Sequence, residues 1–232
     1  LEKPISPLEK GLVAYYPLDG DANDATANAR HGSLNGQTLV KDRHGLSGAL
    51  YFDGIKPGIN VPDSLHPQGV NPTLTYSAWV KGTRQNRFQV FVGGGRMSHD
   101  LRSDFGVFND AKMYYAGHNE DLNFQYELPE DEWIHLVMTK QGRTLQLYVD
   151  GELVATGSHP RDNHVEVPEF HIGWNGNSRH AGGELLKGTL DDVRIYNRAL
   201  SEAEVAELYK LEKTIPPLDL LTITPETQTF SS

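Results

Sequence analysis

Apolar residues in this chain recur at every second position far more consistently than at every third or fourth. In "LTYSAWVKG" (Leu74–Gly82), Leu74, Tyr76, Ala78 and Val80 alternate with Thr75, Ser77, Trp79 and Lys81. That is the period of a strand with one buried face. Comparable short runs are "GLVAYYPL" (Gly11–Leu18), "SGALYFDG" (Ser47–Gly54), "SDFGVFND" (Ser103–Asp110) and "KMYYAGHN" (Lys112–Asn119). "EWIHLVMTK" (Glu132–Lys140), "TLQLYVD" (Thr144–Asp150), "EFHIGW" (Glu169–Trp174) and "KGTLDDVRIY" (Lys187–Tyr196) complete the set. Gly, Pro, Asn and Asp separate the runs, as turns require. Asp150-Gly151 stands between two apolar runs and predicts a tight hairpin, because that turn needs positive φ at both central residues. A second hairpin is predicted near Asn109–Asp110.

One helix is predicted. Ser201 is a good N-cap, Glu204 three residues on closes a capping box, and Leu200 is placed to staple against Val205. In the last strand Leu190 and Val193 are both core-like but three apart, so strict alternation cannot bury both. One extra residue at Asp191–Asp192, a β-bulge, restores the phase and re-aims a carboxylate. About a dozen short strands with one late helix predict an all-β fold, a two-sheet antiparallel sandwich of jelly-roll type with one short C-terminal helix. Residues 1–10 read as a linker, 11–210 as the domain, and 211–232, rich in Pro and Thr, as a linker or extension.

Composition narrows the function. Of 232 residues, 38% are hydrophobic, enough for a sizeable core, and the net charge of -10 opposes a nucleic-acid partner. With no cysteine there is no disulfide framework, thiolate zinc site or thiol nucleophile. No run reaches the ~18–20 apolar residues of a membrane span. The chain opens with Leu rather than Met, which reads as a piece of a longer, multidomain protein, and the lack of Cys fits bacterial export.

The runs "GLVAYYPLDGDANDATANARHG", "ALYFDG", "LTYSAWVK", "EWIHLVMTKQGRTLQLYVDGELVA" and "KGTLDDVRIYNRALSEAEVAELY" resemble the laminin-G-like, concanavalin A-like jelly-roll domains of bacterial secreted and surface proteins. The resemblance covers about Gly11 to Tyr209 and thins over Arg84 to Asn123. It implies two curved antiparallel sheets, frequently a structural calcium, and often glycan or protein binding on a concave face or rim. Fold similarity alone does not carry function.

The stretch Asp19–Gly32 packs three Asp and two Asn into fourteen residues. It is not an EF-hand loop, since Asp24 stands where that loop needs its Gly and Arg30 where it needs its Glu. Two readings stay open. Asp24 caps its own turn by accepting backbone N–H groups, or it joins a Ca²⁺ site with ligands distant in sequence. If the first strand pairs with "KGTLDDVRIY", as in similar folds, the acidic loop meets Asp191. The calcium expectation therefore rests on Asp24 and Asp191, with Asp19 third.

For a glycan or surface-protein ligand, two clusters stand out. Trp174 ends a strand and leads into a polar loop with Asn175 and Asn177, the aromatic-plus-amide chemistry that sugars use. "GGGRMSHDLRSD" offers Arg96, His99, Arg102 and Asp104, with Tyr115 and His118 on the neighbouring strand; its arginines hint at an acidic ligand. Trp79 and Trp133 read as structural. Catalysis is not expected: no pair of carboxylates alternates on one strand as a retaining glycosidase needs, and no nucleophile elbow or helical zinc motif is present. The sequence thus predicts a non-catalytic, lectin-like or adhesive module. The alternatives are a structural or protein-interaction domain without a glycan site, and an ancillary domain of a polysaccharide-degrading enzyme.

Overall fold

The computed structural model describes residues 6–62, 65, 67–94, 102–116, 121–160, 162, 164–165, 169–176 and 184–214. Along these the chain forms β1 (Leu12–Tyr16), β2 (Thr38–Lys41), β3 (Ser47–Asp53), β4 (Ile59–Val61), β5 (Gly69–Val70) and β6 (Leu74–Gly82). There follow β7 (Gln89–Gly93), β8 (Asp104–Val107), β9 (Lys112–Ala116), β10 (Asp121–Glu127) and β11 (Trp133–Gln141). The last elements are β12 (Thr144–Val149), β13 (Glu152–Ser158), β14 (His164–Val165), β15 (Phe170–Ile172), β16 (Lys187–Tyr196) and α1 (Glu202–Lys213).

Two antiparallel sheets face each other. The larger has the order β13-β12-β11-β6-β16-β3-β2, with β1 also pairing β16; the smaller has the order β10-β9-β8-β7-β15-β4. Alternation decides what lies between them. From β6, Leu74, Tyr76, Ala78 and Val80 enter the core, joined by Leu136 and Met138 of β11, Phe91 of β7, Phe105 and Val107 of β8, Met113 and Tyr115 of β9, and Phe170 and Ile172 of β15. The expected sandwich with its single helix is the observed one. The turn at Asp150-Gly151 has φ of 50° and 84°, the left-handed pair its sequence demands.

The bulge expected in the last strand is present. The β16–β6 register shifts between Asp191 and Arg194, Asp192 has φ of 47°, and both Leu190 and Val193 are fully buried. The extra residue turns the next side chains over, so Arg194 and Tyr196 lie on the outer side of the larger sheet.

Helix α1 packs on that outer side. Ser201 and Glu204 form the predicted capping box, and Leu200, Val205 and Leu208 bury against Val137, Tyr148 and Tyr196. Leu8 belongs to the same cluster, so the chain at this residue packs on the sandwich rather than merely leading to it. At the other end, Glu212 is buried within this interface. It takes the Trp79 indole N–H at 3.0 Å and Arg194 Nε at 2.5 Å, with His135 Nε2 at 3.4 Å. Burial opposes ionisation of Glu212, but the His135 and Arg194 partners outweigh it and hold the carboxyl below its ordinary range.

Candidate functional site

The acidic loop ends in a cap. Asp24 is 4% exposed, and its Oδ1 accepts from the backbone N–H of Tyr15 at 3.0 Å and Thr26 at 2.9 Å. Its Oδ2 accepts from Thr26 Oγ1 at 2.9 Å and Arg30 N at 3.0 Å. A carboxylate has about four lone-pair directions, and here protein donors take them all. Burial pushes the Asp24 carboxyl up, but these hydrogen bonds pull it further down, below the ordinary range.

Asp191 is brought close to Asp19, as β1–β16 pairing required, but not into one donor set with Asp24. Its Oδ2 accepts Arg43 Nη1 at 2.5 Å, while Asp192 Oδ2 accepts Arg43 Nη2 at 2.7 Å and Asp192 Oδ1 accepts the Tyr15 hydroxyl. Arg43 also donates to the Glu212 carbonyl and lies 4.5 Å over the Trp79 ring. Burial and the adjoining Asp192 push Asp191 up to about 8, against the pull of Arg43. Asp19 is raised as well, by burial and by Asp192 and Asp42. A Ca²⁺ ion needs about 6–8 oxygens. Among the described residues no three His, Asp or Glu side chains form a metal-binding group. The expected ligands Asp24, Asp191 and Asp19 therefore do not fit calcium as arranged. A guanidinium supplies the positive charge beside Asp191.

The chemistry-bearing surface lies on the opposite side of the molecule's core, on the outer face of the smaller sheet. Phe105 points into the core, so its neighbour Asp104 points out; by the same alternation Met113 and Tyr115 point in and Tyr114 points out. Register then aligns Asn60 of β4, His171 of β15 and Gly93 of β7 in one row, and Asp104 of β8, Ala116 of β9 and Asp121 of β10 continue it. A Cβ on Gly93 would lie 2.5 Å from Asp104 Oδ1. The bare glycine is what admits the Asp104 carboxylate, whose Oδ1 accepts Gly94 N at 3.0 Å.

Arg102 gathers three carboxylates on this face. It stands 3.8 Å from Asp104, 3.3 Å from Asp121 and 3.6 Å from Glu184. Burial pushes the Asp104 carboxyl up to about 8, offset in part by Arg102 and reinforced by Glu184. The Tyr114 hydroxyl donates to Glu184 at 3.2 Å. Its ring stacks on Phe108 at 4.6 Å, and Phe88, 39% exposed, closes on both at 4.8 and 5.8 Å. An aromatic cluster, exposed at Phe88 and buried at Tyr114, thus adjoins a row of hydrogen-bonding groups.

The sequence placed some of these residues correctly and missed others. Arg102 and Asp104 do share the outer face. Tyr115 does not: it is buried, and its hydroxyl donates to Ser103 Oγ at 3.1 Å inside the sandwich. The error is one register position: Tyr114, not Tyr115, lies on the outer side of the sheet. Trp174 is half-buried, packs edge-on to His171 at 4.8 Å and gives its indole N–H to the Ile59 carbonyl at 3.3 Å. Asn175 is buried beside it. Arg96, His99, His118 and Asn177 lie outside the described residues. Asn60, Tyr114, Asp121, His171 and Glu184 were missed; the Met113-Tyr114-Tyr115 alternation was the one signal able to give Tyr114.

The comparisons with known proteins agree with this architecture. Residues 40–206 match the laminin-G-like family model described as the concanavalin A-like lectin/glucanases superfamily. The chain belongs to that superfamily. The zebrafish (Danio rerio) adhesion G-protein coupled receptor V1 is 24% identical over 193 residues, 75% of this chain but 3% of the receptor's length. Among solved structures, domain 4 of the extracellular arabinanase AbnA from Geobacillus stearothermophilus, in complex with arabinotriose, is similar with a TM-score of 0.67 and 19% identity. That match covers 85% of this chain and 98% of the other. The ligand-binding domain of botulinum neurotoxin serotype D, in complex with N-acetylneuraminic acid, has a TM-score of 0.64 and 13% identity, covering 87% and 51%. Sialidases from Trypanosoma rangeli are also similar in fold, so the structural relatives include both binding domains and enzymes. Among the described residues no helix is long and apolar enough to cross a membrane.

Proposed function

We propose that this chain is a non-catalytic, lectin-like glycan-binding module of a larger secreted or cell-surface protein, acting through the outer face of the smaller sheet. The observation that carries it is the aromatic cluster of exposed Phe88, half-buried Phe108 and buried Tyr114, joined through the Tyr114 hydroxyl to Glu184 of the Arg102–Asp104–Asp121–Glu184 cluster. Sugars present apolar C–H faces that aromatic rings cover and hydroxyls that carboxylates and guanidinium groups bind. Similar folds solved with arabinotriose and N-acetylneuraminic acid support the reading. An ancillary domain beside a polysaccharide-degrading enzyme is the same chemistry in a particular setting, as in the arabinanase.

A glycan array screened with the whole chain tests the proposal, followed by titration calorimetry with the best ligand. Phe88→Ala removes a surface ring and is expected to weaken binding about tenfold, roughly the 1–1.5 kcal/mol of one aromatic contact, while leaving the melting temperature within about 1 °C. Unchanged affinity in that variant moves the site elsewhere. The adhesion receptor relative gives a second reading, binding of a surface protein; an empty glycan array favours it.

A further inference from the structure

Helix α1 covers only part of the larger sheet's outer face. Beside its first turn opens a cleft of about 630 Å³, within the size range of small-ligand sites. The floor is β11 and β12. Register sets Thr139 opposite Gln146 and Gln141 opposite Thr144. All four face outward, because their neighbours Met138, Leu145 and Leu147 enter the core. Residues 199–202 and Glu204 at the start of the helix make one wall. On β13, Thr156 lies opposite Gln146 and Ser158 opposite Thr144, both exposed. Strands lie about 4.8 Å apart, so this field of hydroxyls and carboxamides spans about 10 Å, room for a disaccharide.

Thr139 is the telling residue. Its cross-strand partner Thr75 donates to the Arg198 carbonyl at 2.7 Å and accepts the Leu200 N–H at 3.0 Å. Thr139 sits one strand further out and meets no such group. It is 3% exposed and lines the cleft, and its hydroxyl has no hydrogen-bond partner among the described residues. A buried polar group left unpaired costs about 1–3 kcal/mol, so the position calls for a partner from the cleft. Gln146 spends its carbonyl on the Tyr148 hydroxyl at 3.3 Å, which leaves its NH₂ group to donate.

The chemistry of the ligand follows from the lining. Hydroxyls donate and accept at once, and carboxamides do each through separate atoms. Neighbouring sugar hydroxyls need that mixture, and Leu200 in the wall offers apolar surface to a C–H face. No Lys or Arg lines the cleft, so recognition there rests on hydroxyls rather than on charge. An extended peptide pairs its backbone with an open strand edge, and β11 and β12 are both interior to their sheet.

We propose that this cleft is a second binding site, for a short saccharide held through its hydroxyls by Thr139, Gln141, Thr144 and Gln146. It lies on the opposite side of the sandwich from Phe88 and Arg102, so it does not rest on the smaller-sheet reading above. Where both sites hold, one domain grips two glycan segments.

The test is an amide-resonance titration of the isotope-labelled whole chain with arabinotriose, cellotriose and maltotriose at millimolar concentration. At least one is expected to shift the amides of residues 139–148 and 199–202 with saturation. Thr139→Val removes only an unpartnered hydroxyl. It is expected to weaken that binding about threefold to tenfold, the loss of one neutral hydrogen bond, without lowering the melting temperature. Gln141→Ala and Thr144→Ala alter exposed side chains, so they give the same reading even where Thr139→Val fails to fold. If none of the three sugars shifts these amides, or if the variants bind as wild type does, the proposal is overturned. Shifts confined to the surroundings of Phe88, Tyr114 and Asp104 also overturn it and leave the smaller-sheet reading intact. Cleft shifts that persist in Phe88→Ala support it whatever becomes of the other face.

Discussion

Replacing Asp24 by Ala deletes one carboxylate and orphans four donors. The Tyr15, Thr26 and Arg30 N–H groups and the Thr26 hydroxyl all point at it, at 2.9–3.0 Å. Hydrogen bonds to a charged acceptor contribute about 1.5–3 kcal/mol each. Thr26 and Arg30 are half-buried, so water recovers much of that in the variant. A net loss of about 3 kcal/mol is expected, and at about 2–4 °C per kcal/mol for a domain of this size the melting temperature falls by about 6–12 °C. The fall is expected to be the same in millimolar calcium and in chelator, because the protein's own donors fill the carboxylate. Asp24→Asn serves as a control: its carbonyl still accepts, but its NH₂ faces the Arg30 N–H, so an intermediate loss follows. Differential scanning calorimetry of both variants under both conditions makes the measurement. If wild type and Asp24→Ala melt together in chelator and separate only in calcium, Asp24 is a metal ligand and the cap argument is wrong.

Two further outcomes follow from buried charge. Glu212→Ala strands Arg194 and the Trp79 indole, and breaking a buried pair costs about 3–5 kcal/mol, so denaturant melts should show a large loss with α1 loosened from the sheet; Glu212→Gln, which can still accept from Trp79, should lose less. His171 is held neutral in the native state at about 4 against 6.5 for the free side chain. On acidification the unfolded chain takes that proton first, so this contribution is complete above about pH 6.5 and fades toward pH 4, by about 3 kcal/mol in all. The wild-type stability curve minus that of His171→Asn isolates it from the carboxylates; a flat difference across that window refutes the assignment.

The sequence by itself determined most of the strands (β2, β4, β5, β7, β10 and β14 excepted), the Asp150-Gly151 hairpin, the capped helix and even the bulge at Asp191–Asp192. All of these follow from local rules: a period of two, a turn needing positive φ, a capping box, and two apolar residues whose spacing breaks alternation. The superfamily's order of motifs was legible for the same reason. The site was legible only in part. Asp104 and Arg102 were found, yet Tyr115 was chosen over Tyr114 because two adjacent tyrosines look alike until the strand's phase relative to the core is fixed. Asn60, His171, Asp104 and Asp121 come from four strands far apart in the chain, and only sheet order β10-β9-β8-β7-β15-β4 aligns them. Asp24 and Asp191 show the converse. Their proximity to one region followed from pairing β1 with β16, but whether each carboxylate meets a cation or a protein donor depended on where Arg43 and the Arg30 N–H come to rest. Such choices are made by long-range packing, which a local pattern does not encode.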